Sequence, residues 1–211
     1  MTIQLGLISD VHALAAPVEQ ALSEFSRRGV DRVICLGDIA GYGEQLEATV
    51  ELLQQAGAEG IRGNHEQWYL DRYKPCRGKL GRVHDWFATL PRTRSETIAG
   101  ISTFMVHASP PDSLVDGIRL LDEHGRPMTA AHESWAAKLA ETDCELLLVG
   151  HVHQAYAQRL GKVMVVNPGS TAYNHSCAIL RLPELAVDWI ALSGRSIRWS
   201  WNWGMNIKTD D

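Results

Sequence analysis

Short apolar runs alternate with amphipathic stretches along most of this chain. Ile3-Gln4-Leu5-Gly6-Leu7-Ile8-Ser9, Arg32-Val33-Ile34-Cys35-Leu36-Gly37, Ile101-Ser102-Thr103-Phe104-Met105-Val106 and Leu146-Leu147-Leu148-Val149 read as buried strands. Between them apolar residues recur at helical spacing. Pro17 sits near the start of a helix whose apolar face is Val18, Ala21, Leu22 and Phe25, and Gly29 closes it. A second helix from about Glu44 carries Leu46, Val50 and Leu53 on one side and ends at Gly57. Residues 58–61 form a short third strand, residues 67–72, 81–90 and 131–142 read as helical, and a hairpin turns at Ala99-Gly100.

Beyond His153 the pattern changes to consecutive strands over residues 155–159, 163–166, 177–182 and 186–192, broken by Gly161, Pro168-Gly169 and Pro183. Ile197, Trp199, Trp201 and Trp203 alternate with Arg198, Ser200 and Asn202, a period of two that predicts a last, half-buried strand. A βα half followed by a β-rich half predicts an α/β fold of two mixed sheets packed together, with helices outside. No repeat, low-complexity tract or linker interrupts it, so one domain over residues 1–211 is expected.

Bulk properties narrow the choice. The net charge is -5 and the pI about 6.0, which excludes a broad basic nucleic-acid surface. The four cysteines, Cys35, Cys76, Cys144 and Cys177, are scattered, with Cys35 and Cys177 inside apolar runs. They read as core or free thiols in a reducing cytoplasm rather than a disulfide framework. Met1-Thr2-Ile3-Gln4 shows no basic segment leading into an apolar signal core, and no apolar stretch approaches the roughly 18 residues that span a membrane.

The strand ends carry the chemistry. The first run ends in Asp10-Val11-His12, the second in Asp38, the Ile101 run in His107, and the Leu146 run in Gly150-His151-Val152-His153. Asn64 follows the short third strand in Arg62-Gly63-Asn64-His65-Glu66. In α/β sheets ligands bind outside the carboxyl ends of the strands. Seven oxygen and nitrogen donors at matching positions suit two divalent ions, provided one carboxylate is shared. Mixed imidazole and carboxylate sets fit Mn, Fe, Zn or Ni better than Mg or Ca.

Taken in order, Asp10-Val11-His12, Gly37-Asp38, Gly63-Asn64-His65-Glu66, His107 and Gly150-His151-Val152-His153 resemble the motif series of the calcineurin-like metallophosphoesterase family over nearly the whole chain. The stretches 37–43 and Asn167-Pro168-Gly169-Ser170 are similar to its small single-domain prokaryotic phosphodiesterase branch. The resemblance implies a four-layer αββα fold and a dinuclear metal centre, with manganese among the candidate ions. Asp10, His12 and His153 would hold one ion, Asn64, His107 and His151 the other, and Asp38 would bridge. It also implies in-line attack on phosphorus by a hydroxide held between the ions, with a cationic His65 off the metals assisting the leaving oxygen.

The sequence departs from that pattern in places. The Asp and Arg that follow Gly-Asp in protein phosphatases of this superfamily are missing from Gly37-Asp38-Ile39-Ala40-Gly41-Tyr42-Gly43. This counts against a protein-serine/threonine phosphatase and leaves His65 without an identified partner. Glu66 stands for the commoner Asp, Ala108 for Gly, and Val152 for Thr. The expected activity is hydrolysis of a small phosphodiester. The alternatives are a dinucleoside polyphosphate hydrolase or phosphomonoesterase on the same site, and a non-catalytic interaction module like the retromer subunit of this fold. No membrane partner is expected, and an oligomer is compatible with the sequence. His84, His124 and His132 read as solvent-facing, His175 and Tyr42 as residues that could approach substrate, and the polar segment 109–127 as a loop shaping access.

Overall fold

The strands β1 (Ile3–Ile8), β2 (Arg32–Cys35) and β3 (Glu59–Gly60) are separated by the helices α1 (Ala15–Arg27) and α2 (Leu46–Gln55). Then come α3 (Asn64–Arg72), α4 (Lys79–Thr89), the hairpin β4 (Thr93–Ile98) and β5 (Ile101–Val106), and α5 (Thr129–Leu139). The chain continues through β6 (Leu146–Leu148), β7 (Ala155–Leu160), β8 (Val163–Pro168), β9 (Ser176–Leu182) and β10 (Ala186–Ala191). This computed structural model describes residues 2–74 and 78–201, Lys79 and Leu80 by backbone alone.

Two mixed sheets of five strands result, in the orders β10-β9-β1-β2-β3 and β4-β5-β6-β8-β7. β1 and β2 run parallel in the first, and β5, β6 and β8 in the second. Such strands are covered on both faces, hence their uninterrupted apolar runs. Leu5, Leu7, Ile34 and Leu36 of the first sheet meet Met105, Leu146, Leu148 and Val166 of the second in the central layer. The alternate residues Ile8 and Cys35 face outward into a cluster with Val18, Ala21 and Phe25 of α1 and Val50 and Leu53 of α2. On the far side, Val106, Leu147 and Val149 pack against Ile118, Leu120 and Leu139. The architecture is therefore helices, sheet, sheet, helix and loop.

Packing of α1 on β1 is close: a methyl on Gly6 would lie 2.6 Å from the Phe25 ring, which is itself only 1% exposed. Removing that ring costs about 3–5 kcal/mol by analogy with other buried aromatics.

Three expectations are corrected. The tryptophan stripe does not form a strand among the described residues. Its only pairing there is a single bridge between Gln154 and Ser200, and Trp203 lies outside them. Trp199 is exposed, and Trp201 stacks on Tyr173 at 4.5 Å. Helix α3 starts at Asn64 rather than residue 67, because the Glu66 carboxylate accepts the Gly63 N–H and caps the first turn. His84 and His132 are half-buried instead of solvent-facing, while His124 is exposed.

Candidate metal centre

Strands β1, β2, β5 and β6 deliver their carboxyl ends to one edge of the sandwich, where the loops are tied to one another. Asp10 N–H donates to Gly37 O at 3.0 Å, His12 N–H to Asp38 O at 2.9 Å, and Gly150 N–H to His107 O at 2.8 Å. Asp10, His12, Asp38, His151 and His153 all have φ between 49° and 69°, the left-handed region that non-glycine residues rarely occupy. Five of the seven sequence-derived donors thus sit in strained backbone, a pattern characteristic of functional sites. Glycines make the crowding possible. A methyl on Gly63 would strike the Asp38 carboxylate and main chain, and one on Gly150 would strike Ser9 Oγ.

The donors converge in overlapping groups. Asp10, His12 and His153 form one, Asp38, His107 and His151 a second, and His12, Asp38 and His65 a third, with the candidate atoms of each group within 4.8 Å of one another. His12 Nε2 lies 3.0 Å from His153 Nε2, His153 Nε2 lies 3.4 Å from Asp10 Oδ1, and His107 Nε2 lies 3.2 Å from Asp38 Oδ2. His107 Nδ1 is 2.6 Å from Leu36 O, so Nδ1 donates there and Nε2 is the nitrogen turned towards Asp38. His12 has the same arrangement, with Nδ1 3.3 Å from Ala40 O. With its amide oxygen turned inward, Asn64 places Oδ1 3.0 Å from His151 Nδ1. The same position lies 3.3 Å from His107 Nε2 and Asp38 Oδ2. A crowd of buried acceptor atoms around shared points is the environment a cation satisfies, and the mixed N/O set fits a transition metal.

Electrostatics agree. Burial alone would raise the Asp10 carboxyl, but the His153, His107 and His12 imidazoles hold it below the ordinary carboxylate range. Burial pulls His12 down to about 4 despite Asp10 and Asp38. His107 goes the other way: burial opposes its charge, but Asp38 outweighs it and pushes the imidazole up to about 10. A bound cation would displace that proton. Burial lowers His65 against the pull of Asp38, so the cationic form expected from sequence is not favoured by the protein alone.

Glu66, Trp68 and Tyr173 escaped the sequence reading as neighbours of the site, whereas Tyr42 was singled out there. Glu66 is fully buried and accepts N–H bonds from Asp38, Ala40 and Gly63, each at 2.8 Å. Burial and the Asp38 charge push its carboxyl up to about 7, against the pull of its backbone donors. His65 Nε2 lies 3.2 Å from the Tyr42 hydroxyl and 3.9 Å from Asp38 Oδ2, which supplies the partner missing from the motif. Tyr42 and Trp68 are 52% and 54% exposed beside His65, while Tyr173 stacks on His153 at 5.3 Å. Trp68 sits one helical turn beyond His65, a spacing readable in hindsight as a shared face. Segment 109–127 contains no helix, and its first part lines the same cavity of about 930 Å³ as His12, His65 and His151. His175 does not line that cavity; it feels Arg195 and Arg198 instead.

Comparisons with known proteins point the same way. Residues 3–182 match the calcineurin-like phosphoesterase superfamily domain. An uncharacterized protein of Methanocaldococcus jannaschii is 32% identical over 120 residues, 50% of this chain and 49% of that protein, so the match spans about half the length of this curated relative. The crystal structure of a metallophosphoesterase from Sphaerobacter thermophilus superposes with TM-score 0.67 at 22% identity, covering 92% of this chain and 89% of that one. A structure described as a novel archaeal phosphodiesterase gives 0.58 at 16% identity, covering 90% and 100%. At such identities the structures establish a shared fold.

Proposed function

The chain belongs to the calcineurin-like phosphoesterase superfamily and is a phosphoric-ester hydrolase, and from that premise we propose that it is a dinuclear-metal phosphodiesterase acting on small diesters. The observation that carries the reading is the chain of overlapping donor groups: Asp10, His12 and His153 share His12 with a group that contains Asp38, and Asp38 in turn belongs to the group of His107 and His151. Asp10, His12 and His153 would hold one ion, and Asn64, His107 and His151 the other, with Asp38 between them and Mn, Fe, Zn or Ni as the ions. Two divalent cations, when bound, would activate the attacking water and supply counter-charge for the phosphoryl oxygens.

The chain's own groups would do the rest. His65 would serve the leaving oxygen, its ring fixed by the Tyr42 hydroxyl at 3.2 Å. A phosphate anion beside the imidazole favours its charged form and so offsets the lowering by burial. Tyr42 and Trp68 offer exposed aromatic faces to an aryl or base substituent on the ester. We infer further that residues 1–211 act as one domain, and that the protein works in a reducing cytoplasm, the latter in keeping with the free thiols of Cys35, Cys144 and Cys177. No helix among the described residues is long and apolar enough to cross a membrane.

The test is turnover of bis(p-nitrophenyl) phosphate beside p-nitrophenyl phosphate with added Mn²⁺. The diester should be the better substrate, and His65→Asn should lower kcat by about 10²–10⁴. Activity confined to the monoester would refute the diesterase assignment. Turnover insensitive to His65→Asn would remove its proposed role.

A further inference from the structure

The lining of the cavity that holds the donor groups extends beyond them. Arg119 and Lys138 also belong to it, together with Trp135 and Asp116. The two cations come from different parts of the chain. Arg119 projects from the segment after β5 between Ile118 and Leu120, both fully buried, so its backbone position is anchored by the core. Lys138 comes from α5, where Leu139 is buried, and its Nζ is held 4.2 Å from the centre of the Trp135 ring. That contact restrains a side chain which would otherwise sample many rotamers. Neither cation has a carboxylate within ion-pair distance among the described residues, and Asp116 pairs with neither.

The segment that carries Arg119 is tied to the donor turn. Gly117 packs against the donor turn: a methyl there would lie 3.0 Å from the His151 ring and strike Val152. Arg119 follows two residues later, at most about 7.6 Å of backbone away. A guanidinium is also built for bidentate recognition of phosphate. A simple diester occupying the donor groups would leave both cations without an anion, in a cavity of about 930 Å³ that is large for such a molecule.

We propose that Arg119 and Lys138 form an anion subsite that selects substrates carrying a second phosphate one short spacer away from the scissile one. This rests on the phosphoesterase reading above and specifies its substrate class. The subsite would act through binding, so it should favour such substrates through KM. Asp116 lines the same cavity, and its carboxylate would repel a second anion and so limit the gain.

Isothermal titration calorimetry on the Mn²⁺-loaded full chain tests this with non-hydrolysable probes. The series is alkane-α,ω-diyl bisphosphonates of increasing spacer length beside the alkyl monophosphonate. One of the shorter bisphosphonates should bind at least about tenfold more tightly than the monophosphonate, the worth of one charge-assisted hydrogen bond. The double variant Arg119→Gln/Lys138→Gln should lose that preference, while Lys162→Gln, which removes an exposed charge outside the cavity, should keep it. Equal affinity across the series, or a preference that survives the double variant, would overturn the proposal. Turnover of bis(p-nitrophenyl) phosphate, measured in parallel, separates the two readings. Turnover without a bisphosphonate preference sinks only the subsite, whereas loss of both turnover and monophosphonate binding sinks the phosphodiesterase assignment and the subsite with it.

Discussion

Replacing Glu66 by Gln probes the network that fixes Asp38. Glu66 Oε2 accepts the Asp38 and Gly63 N–H groups, and Oε1 accepts that of Ala40, all at 2.8 Å. A glutamine of the same shape can present its oxygen to the first two donors. Its NH2 group then faces the Ala40 N–H, leaving a buried donor unpaired at a cost of about 1–3 kcal/mol. The variant also removes a carboxyl that burial has pushed up to about 7, so relief of its desolvation offsets part of that cost near neutral pH. A net loss of about 2 kcal/mol corresponds to roughly 4–8 °C in Tm for a domain of this size. Because Ala40 and Asp38 share the loop, the carboxylate proposed to bridge should also shift, weakening Mn²⁺ binding by about 10–100-fold. Scanning calorimetry in chelator and titration calorimetry with Mn²⁺ measure the two effects. An unchanged Tm together with unchanged metal affinity would refute the claim that Glu66 positions Asp38.

Gly63→Ala drives a methyl into the Asp38 carboxylate, so the rise in Tm on adding Mn²⁺ should disappear, and thermal unfolding with and without the metal reads this directly. Tyr42→Phe removes the hydroxyl beside His65 and should reduce kcat by about tenfold with little change in KM, seen in steady-state kinetics on bis(p-nitrophenyl) phosphate. Glu59 is bonded by Arg32 and Arg94, which hold its carboxyl below the ordinary value and link the two sheets. Its contribution is therefore present above the unfolded carboxyl range near pH 4.5 and is lost as pH falls through the folded value. Glu59→Gln should accordingly be less stable than the parent at neutral pH, with the gap closing in acid, as followed by urea unfolding across pH.

The fold was legible where periodicity and burial coincide. The runs ending at Ile8, Cys35, Val106 and Leu148 are apolar because parallel strands are covered on both faces, and the Asp or His within three residues after each run marks the sheet edge. Asp10, His12, Asp38, Asn64, His107, His151 and His153 could be gathered from sequence for that reason. Glu66 could not be ranked above its neighbours, since its importance lies in backbone N–H groups of Asp38 and Ala40 more than 25 residues away. The tryptophan stripe misled because alternation predicts a strand only where another strand is free to pair with it. Here Ser200 makes one bridge to Gln154, and Trp201 turns to Tyr173. Arg119 looked like loop polarity, because nothing local says that Gly117 brings its segment against His151.

The central claim is that Asp38 lies between two metal ions. Anomalous diffraction from crystals loaded with Mn²⁺ measures it most directly. Two anomalous peaks should flank the Asp38 carboxylate, one within reach of Asp10, His12 and His153 and the other of Asn64, His107 and His151. A single peak, or a peak ligated by His65, would contradict it.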